Sequence, residues 1–506
     1  MRRAAVLALL AAGVAPGVAP GVTIQQYHSQ DFPFAATVDG NPFDVEVTGE
    51  FSGPAGVRLR VPGFFDGAGT WKIRFSPTRV GRWSLRTVSA VAALNGKVEP
   101  EIECVPNRRP RIHGGLRVDP ANPHHFVWED GTRYFLMGYE ADWLWALEDA
   151  RPLVERLAAL GFNHFIINIY AHDTRWSPER QNQWDYGPPP PAVFPWEGTN
   201  EKPDHARLNP AFFARYDRMM EALRESGAVA HLMLKVYNKM VSWPPAGSRD
   251  EERYFRYVAA RYQAFSNVVW DFAKEAYYEK DEALQKRLID LVRATDGYRR
   301  LTTVHDDDAY DRNPALNANI DFRSDQQHSH WAQSVAFDRG IKKWPVVNVE
   351  FGYERGVDDL PTYRVKQDWQ EVLRRAYLIY LAGGYGAYYY SNTAWDLIKP
   401  EPEPPGYRRF QLLQQTLSAL PYWRMAPGDH LATGGPCLAL EGEAYACYAE
   451  AERLTVNLGA LKKAATARWV DTWTGAAQNV EIPRGGVYAL EKPKAFGAAP
   501  ALLVVQ

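Results

Sequence analysis

A chain of 506 residues, 46% hydrophobic and 23% charged, has the length and make-up of several folded domains, which excludes a fibrous protein and one disordered throughout. Its 58 basic and 60 acidic side chains nearly cancel to a net charge of −2, so no global positive field exists to hold a polyanion, and nucleic acid is excluded as a partner. The unusual figure is the 13% aromatic share (17 Trp, 27 Tyr, 22 Phe), whose flat faces fill a large core and also suit the C–H faces of sugar rings.

Residues 1–22, MRRAAVLALLAAGVAPGVAPGV, set two arginines before an apolar run over 4–14 and end in small residues ahead of Thr23, as an export signal does. The run is too short to span a bilayer at ~1.5 Å rise per residue, and no later stretch reaches ~18 uninterrupted apolar residues. An exported protein, periplasmic, cell-surface or extracellular, with no membrane span is expected. From 23 to 108, short alternating runs punctuated by Gly and Pro (VEVTGEFSGP, VRLRVPGFFDG, TWKIRFSPTRVGRWSLRTV) predict a small antiparallel β-sandwich. Trp71, Phe75 and Trp83 would fill its core, with Pro77 and Gly81 in its turns.

Residues 109–427 alternate strand runs with amphipathic stretches. The strand runs are FLMGYEA (from Phe135), HFIINIY (His164), VAHLMLKV (Val229), NVVWDFAKE (Asn267), LTTVHD (Leu301), DFRSDQQHS (Asp321), VVNVEFGYE (Val346) and GAYYYS (Gly386). Eight such runs with helices between most of them favour a closed (β/α)8 barrel over an open doubly wound sheet. No Gly-rich phosphate fingerprint follows the first run, so no cofactor is expected. Residues 428–506 return to strand-and-turn text (CLALEGEAYACYAEAERLTVNLG, ARWVDTWTGAAQNVEI). The fold class read from the chain is therefore α/β, a TIM barrel flanked by an N-terminal and a C-terminal β-sandwich. Cys104 stands alone, while Cys437 and Cys447 flank a hairpin and either pair across it in an oxidising compartment or remain two buried thiols.

Such barrels build their active sites at the C-terminal ends of the strands. Glu275 ends the fourth run and Glu350 lies at the end of the seventh, and closure brings those rims across one cavity. A carboxyl separation of ~5 Å there would permit double displacement with retention at a sugar carbon. One carboxyl must stay protonated to help the leaving oxygen depart, and the other ionised to attack the anomeric carbon. The plainer alternative makes each a rim carboxylate in an ion pair, Glu350 with Arg355 and Glu275 with Lys274 or Lys235. Asp271 and Asn348 share a face with their glutamates by period-two alternation and are expected as supports. The other strand ends supply substrate-binding candidates: Glu140, Asp142 and Trp143, then Asn168 and Tyr170, then Lys235 and Asn238. Lys274 stands beside Glu275, and His305, Gln326, His328 and Trp395 follow later strands. The insert over 172–208, with Trp176, Trp184, Trp196 and prolines at 188–191, is expected to fold as a lip over the cleft. His305, Asp306, Asp307 and Asp308 are the metal-like group, but four adjacent residues cannot all converge and no zinc spacing is matched, so no metal is expected.

The pair NVVWDFAKE and VVNVEFG resembles the fourth- and seventh-strand signatures of the clan A glycoside hydrolases, retaining enzymes on a (β/α)8 barrel. The flanks resemble the same bacterial group. VTGEFSGP…VPGFFDGAGTWKIRFSPTRVGRWS is similar to an immunoglobulin-like module of unknown function that precedes many members. AYACYAEAERLTVNLG…WVDTWTG is similar to the β-sandwich that carries a collagen-binding label in them. The resemblance covers nearly the whole chain after the export signal. It implies Glu275 as acid/base, Glu350 as nucleophile and Trp395 as the floor of the sugar site. It departs at Lys274, where many members place an Asn that contacts the sugar 2-hydroxyl; lysine donates but cannot accept, and its charge favours the ionised form of a nearby carboxyl. The implied activity is a glycosidase cleaving O-glycosidic bonds of a poly- or oligosaccharide. The alternative that Lys274 keeps open is a non-catalytic carbohydrate-binding or cell-surface adhesion protein on a decayed hydrolase barrel.

Overall fold

A computed structural model describes residues 21–171, 194–199, 201–237, 241–306, 317–356, 366–393 and 398–506. The chain begins with a five-stranded sheet (Val22–Gln25, Val98–Val105, Gly81–Ser89, Val47–Ser52, Arg58–Pro62) facing a three-stranded one (Gln30–Ala35, Thr70–Phe75, Phe64–Phe65). Trp71, Phe75 and Trp83 are buried between them, as the alternating pattern requires.

The barrel strands are β1 (Gly138–Glu140), β2 (His164–Asn168), β3 (Val229–Met233), β4 (Val268–Asp271), β5, β6 (Arg323–Asp325), β7 (Val346–Asn348) and β8 (Tyr385–Tyr388). β5 is split into Thr302–Thr303, paired with β4, and His305–Asp306, paired with β6, so the ring passes through Val304. Every pairing around it is parallel, and β1 meets β8 with Gly138 opposite Ala387. A Cβ on Gly138 would lie 2.8 Å from the Ala387 Cα, so only glycine lets these two strands approach so closely. All eight strand runs read from the sequence overlap a barrel strand, the last beginning one residue after Tyr385, where its strand starts.

Among the described residues, the helices outside the ring are α1 (Arg151–Ala159), α2 (Pro210–Ser226), α3 (Arg249–Tyr262), α4 (Glu282–Thr295), α5 (Trp331–Ile341), α6 (Trp369–Leu381) and α7 (Gly406–Ser418). Their ends are set by local chemistry. The Asn209 side chain accepts from the Ala211 N–H at the start of α2, with Pro210 in the first turn, and Gly227 stops that helix at φ 79°. At the start of α3, the Ser248 hydroxyl accepts from the Glu251 N–H, and Glu251 accepts from the Gly247 N–H at 2.7 Å.

A small antiparallel sheet (Leu116–Val118, Phe126–Trp128, Arg133–Tyr134) lies under the strand starts, where the Phe126 ring meets Phe322 and Tyr385. From this floor a file of hydrogen bonds climbs the barrel interior. Tyr134 Oη pairs with His164 Nδ1 at 3.1 Å, His164 Nε2 with His231 Nδ1 at 2.9 Å, and His231 Nε2 with Asp271 Oδ2 at 2.8 Å. Inward-facing residues of β2, β3 and β4 thus satisfy one another in a region closed to water.

After α7, a six-stranded sheet (Ala426–Pro427, Cys437–Leu440, Ala444–Ala449, Ala501–Val505, Ala465–Asp471, Ala477–Ile482) and a three-stranded one (Ala432–Thr433, Arg453–Asn457, Val487–Glu491) share a core around Trp469, Tyr445 and Leu454. Cys437 and Cys447 face each other on adjacent strands and form a disulfide; Cys104 is free and buried.

Candidate active site

Glu350 emerges just beyond β7. Its N–H donates to Asn348 Oδ1 at 3.1 Å, fixing the turn that aims the carboxyl into the barrel mouth. Tyr353 donates its hydroxyl to Oε1, and Lys274 Nζ lies 3.2 Å from Oε2. The imidazole Nε2 atoms of His305 and His328 are each 3.8 Å from this carboxylate. Burial alone would push the Glu350 carboxyl up; the Lys274 ammonium, then His328 and the Tyr353 hydroxyl overcome it and hold the group below the usual range.

Lys274 is the centre of the cluster. Its backbone continues β4 alongside the end of β3, donating to the Lys235 carbonyl at 2.9 Å and accepting from the Tyr237 N–H at 3.2 Å. Its side chain, 1% exposed, donates to Glu140 Oε1 at 3.0 Å, to Tyr389 Oη at 3.2 Å and to both Asp142 oxygens at 3.4 and 3.5 Å. Burial opposes the charge, but Asp142, Glu140, Glu350 and Glu275 together raise the ammonium well above its ordinary value. The lysine is therefore a fixed cation among carboxylates. Glu140 behaves in the opposite sense: burial, with Asp142 and Glu350 nearby, pushes its carboxyl well above the usual range against the pull of Lys274. Its Oε2 has no partner among the described residues.

Glu275 follows directly, in the left-handed region at φ 55°, ψ 50°, and is 7% exposed. A non-glycine residue held there costs on the order of 1–3 kcal/mol and is found where surrounding structure imposes it. The imposing contacts are the pinned backbone of Lys274 before it and the single turn Ala276–Tyr278 after it, whose Tyr278 N–H donates to the Glu275 carbonyl at 3.1 Å. Glu275 and Glu350 both act electrostatically on Lys274 and on Tyr353.

The other candidates divide. His305 is buried, with Nε2 2.9 Å from Gln326 Oε1, and burial, reinforced by Lys274, lowers it to about 3, so it is a neutral imidazole facing Glu350. Asp271 supports it by accepting the His305 N–H at 3.0 Å. His328, 38% exposed, lies beside Tyr353 with the rings tilted at 41°. Trp143 is buried against Trp145 close to Asp142. Asn168 instead accepts from Trp145 Nε1 at 2.9 Å, and Tyr170 packs among Trp145, Phe212 and Trp196. Lys235 pairs with Glu251 of α3 at 2.7 Å, and Arg355 with Asp368 at 3.8 Å, so Lys274, not Arg355, is the cation on Glu350. Trp196 is buried against Trp243 and Tyr254 rather than overhanging a cleft. Asn238, Trp395, Asp307, Asp308, Trp176 and Trp184 lie outside the described residues. Among the described residues no group of three His, Cys, Asp or Glu is arranged to hold a metal ion.

Tyr353 and Tyr389 were not singled out by the sequence reading. Tyr389 donates to Asp142 Oδ2 at 2.7 Å as well as accepting from Lys274. Its signal was present in GAYYYS, where period-two alternation from Ala387 turns the middle member of the Tyr run into the barrel.

Residues 120–430 match the family model described as "Apiosidase-like, catalytic domain", and residues 23–90 match one described as a domain of unknown function, DUF5060. A crystal structure of a Bacteroides vulgatus protein assigned as a glycoside hydrolase is similar over 96% of this chain and 99% of its own, at 22% identity and a TM-score of 0.75. A glycoside hydrolase family 5 protein of the same organism is similar over 78% of this chain and 92% of its own (13% identity, TM-score 0.59). A further structure named only as a glycoside hydrolase covers 78% and 97% (16% identity, TM-score 0.59). At these identities the likeness establishes the barrel fold. No curated protein matches the chain.

Proposed function

The chain belongs to the apiosidase-like catalytic-domain family, and from that premise we propose that it is a retaining glycoside hydrolase in which Glu350 is the nucleophile and Glu275 the acid/base. One observation carries the reading. A carboxylate at the end of β7 is buried yet kept ionised by a lysine and a tyrosine, and the rim glutamate of β4 bears on that same lysine and tyrosine.

In the first step Glu275 gives its proton to the departing oxygen while Glu350 attacks the anomeric carbon and forms a glycosyl ester. In the second, Glu275 takes a proton from water, which attacks the same carbon and frees Glu350. Lys274 keeps Glu350 ionised in the resting enzyme. As the ester forms and the carboxylate charge is lost, the ammonium remains compensated by Asp142, so no bare cation is stranded. A lysine in place of the asparagine found in many clan A enzymes is thus accounted for as part of a charge cage, which favours catalysis over the adhesion alternative.

The family description names apiosides, so an aryl apioside heads the panel of aryl glycosides to assay, with NMR of the first-formed product. Retained anomeric configuration is expected; inversion would overturn the two-step scheme, and inertness to every glycoside would favour a binding protein. We also propose export, supported by the N-terminal run and by the Cys437–Cys447 pair. Thiol titration of denatured, unreduced protein should find one free group, Cys104; three would contradict it.

A further inference from the structure

The turn that follows Glu275 is unusual in what it exposes. Tyr278 is 57% exposed, more than any other tyrosine or tryptophan among the described residues. A lone exposed ring would need no explanation; this one stands three residues from the glutamate assigned as acid/base, and its ring is paired with that of Tyr277, centroids 4.7 Å apart at 36°. The turn is also anchored from below. Gln285 of α4, fully buried, donates its side-chain amide to the Ala276 carbonyl at 3.2 Å and to the Glu279 carbonyl at 2.8 Å. Glu279 in turn accepts from Tyr237 Oη at 3.2 Å and from the Asp281 N–H at 3.0 Å. The two tyrosines therefore ride on a braced turn rather than on a slack loop.

An acid that protonates a departing oxygen must have the departing group beside it. We propose that the Tyr277–Tyr278 pair is the subsite for the leaving group, a platform on which the apolar C–H face of a sugar ring stacks. This rests on the glycosidase reading and adds to it a substrate class: a glycoside whose aglycone is itself a sugar, held by stacking rather than by charge.

The test separates this subsite from the chemistry. A glycosyl fluoride, drawn from the sugar that the aryl-glycoside panel identifies, has no sugar leaving group, so its hydrolysis does not use the platform. Methyl β-D-glucopyranoside and methyl β-D-galactopyranoside, added as acceptors, compete with water for the glycosyl-enzyme from that side. Tyr278→Ala should leave kcat/KM for the fluoride within about twofold and lower transfer to both acceptors roughly 3- to 10-fold, while Tyr278→Phe retains transfer. Unchanged transfer in Tyr278→Ala, with fluoride hydrolysis intact, overturns the subsite alone. Equal loss with fluoride and acceptors would make the turn a general support of Glu275 and overturn it too. Wild-type protein that hydrolyses no fluoride overturns the glycosidase reading and the subsite with it.

Discussion

Asp142 and Glu350, paired with one buried ammonium, leave little room for a neutral substitution at position 274. Lys274→Met would strand Asp142 and Glu350 without their cation, a change of the kind that costs about 3–5 kcal/mol when a buried ion pair loses one partner. Calorimetry should show that loss. The catalytic signature is separate: Lys274 holds the Glu350 carboxyl down, so removing it lets the carboxyl rise, and the acid limb of the kcat/KM profile should move to higher pH. A limb that stays in place while stability falls would make Lys274 a structural residue only. Glu140 tests the same cage from the other side. Because burial raises its carboxyl well above the usual range and so favours the neutral form, the isostere Glu140→Gln should cost about 1 kcal/mol or less, far below the cost at Lys274. The residues that sequence reading placed at strand ends reached this cage in part. Glu140, Asp142, Lys274, His305, Gln326, His328 and Glu350 come together, because alternation and strand polarity put them at the mouth. Asn168 and Lys235 also sit at strand ends, yet turn toward Trp145 and Glu251. Which way a rim side chain turns depends on the helix packed behind it, and local pattern does not carry that.

Elements show the same division between pattern and tertiary context. The barrel's eight strands were legible because buried parallel strands read as apolar runs separated by helical periodicity. The break in β5 was not, since LTTVHD reads as one run; nor was the left-handed Glu275, which arises where β4 ends against β3 and a braced turn begins. Trp196 was expected in a lip but belongs to a short hairpin, Trp196–Gly198 with Pro203–Leu208, whose aromatic is drawn into the cluster with Trp243 and Tyr254. One element carries its own pH dependence. Glu354, beyond β7, accepts from the Gly406 N–H at the start of α7 at 3.0 Å and from Tyr388 Oη at 2.6 Å, and burial pushes its carboxyl up to about 7. A carboxyl raised on folding binds its proton more tightly in the native state, so its contribution to stability is complete below ~4.5 and is lost as pH rises toward 7. The loss is on the order of 3 kcal/mol. Glu354→Gln should flatten the decline in denaturation midpoint over that window relative to wild type; parallel curves would contradict the assignment.

Across the molecule, the N-terminal sheets are joined to the barrel by charge as well as by packing. Arg74 binds Asp31 in its own module and Asp217 of α2, and Arg261 of α3 binds Asp217 and reaches back to Asp66. Asp217 is held below the usual carboxylate range because the two guanidiniums outweigh its burial. Removing it would leave two cations facing each other, so Asp217→Ala should cost about 3–5 kcal/mol while leaving kcat/KM at 25 °C nearly unchanged. A matching fall in activity at full folding would mean that the module shapes the site directly. This joint was invisible in the sequence, since Asp31, Asp66, Arg74, Asp217 and Arg261 are scattered over two strands, a turn and two helices with no local motif.

The covalent step is the claim on which the account stands. Incubation with an activated 2-deoxy-2-fluoro glycoside, followed by peptide mapping and mass spectrometry, reads it directly. The label should fall on Glu350, be absent from Glu350→Gln and turn over slowly in the wild type. A label on Asp142 or Glu140, or rapid turnover of the parent glycoside with none retained on any carboxylate, would contradict it.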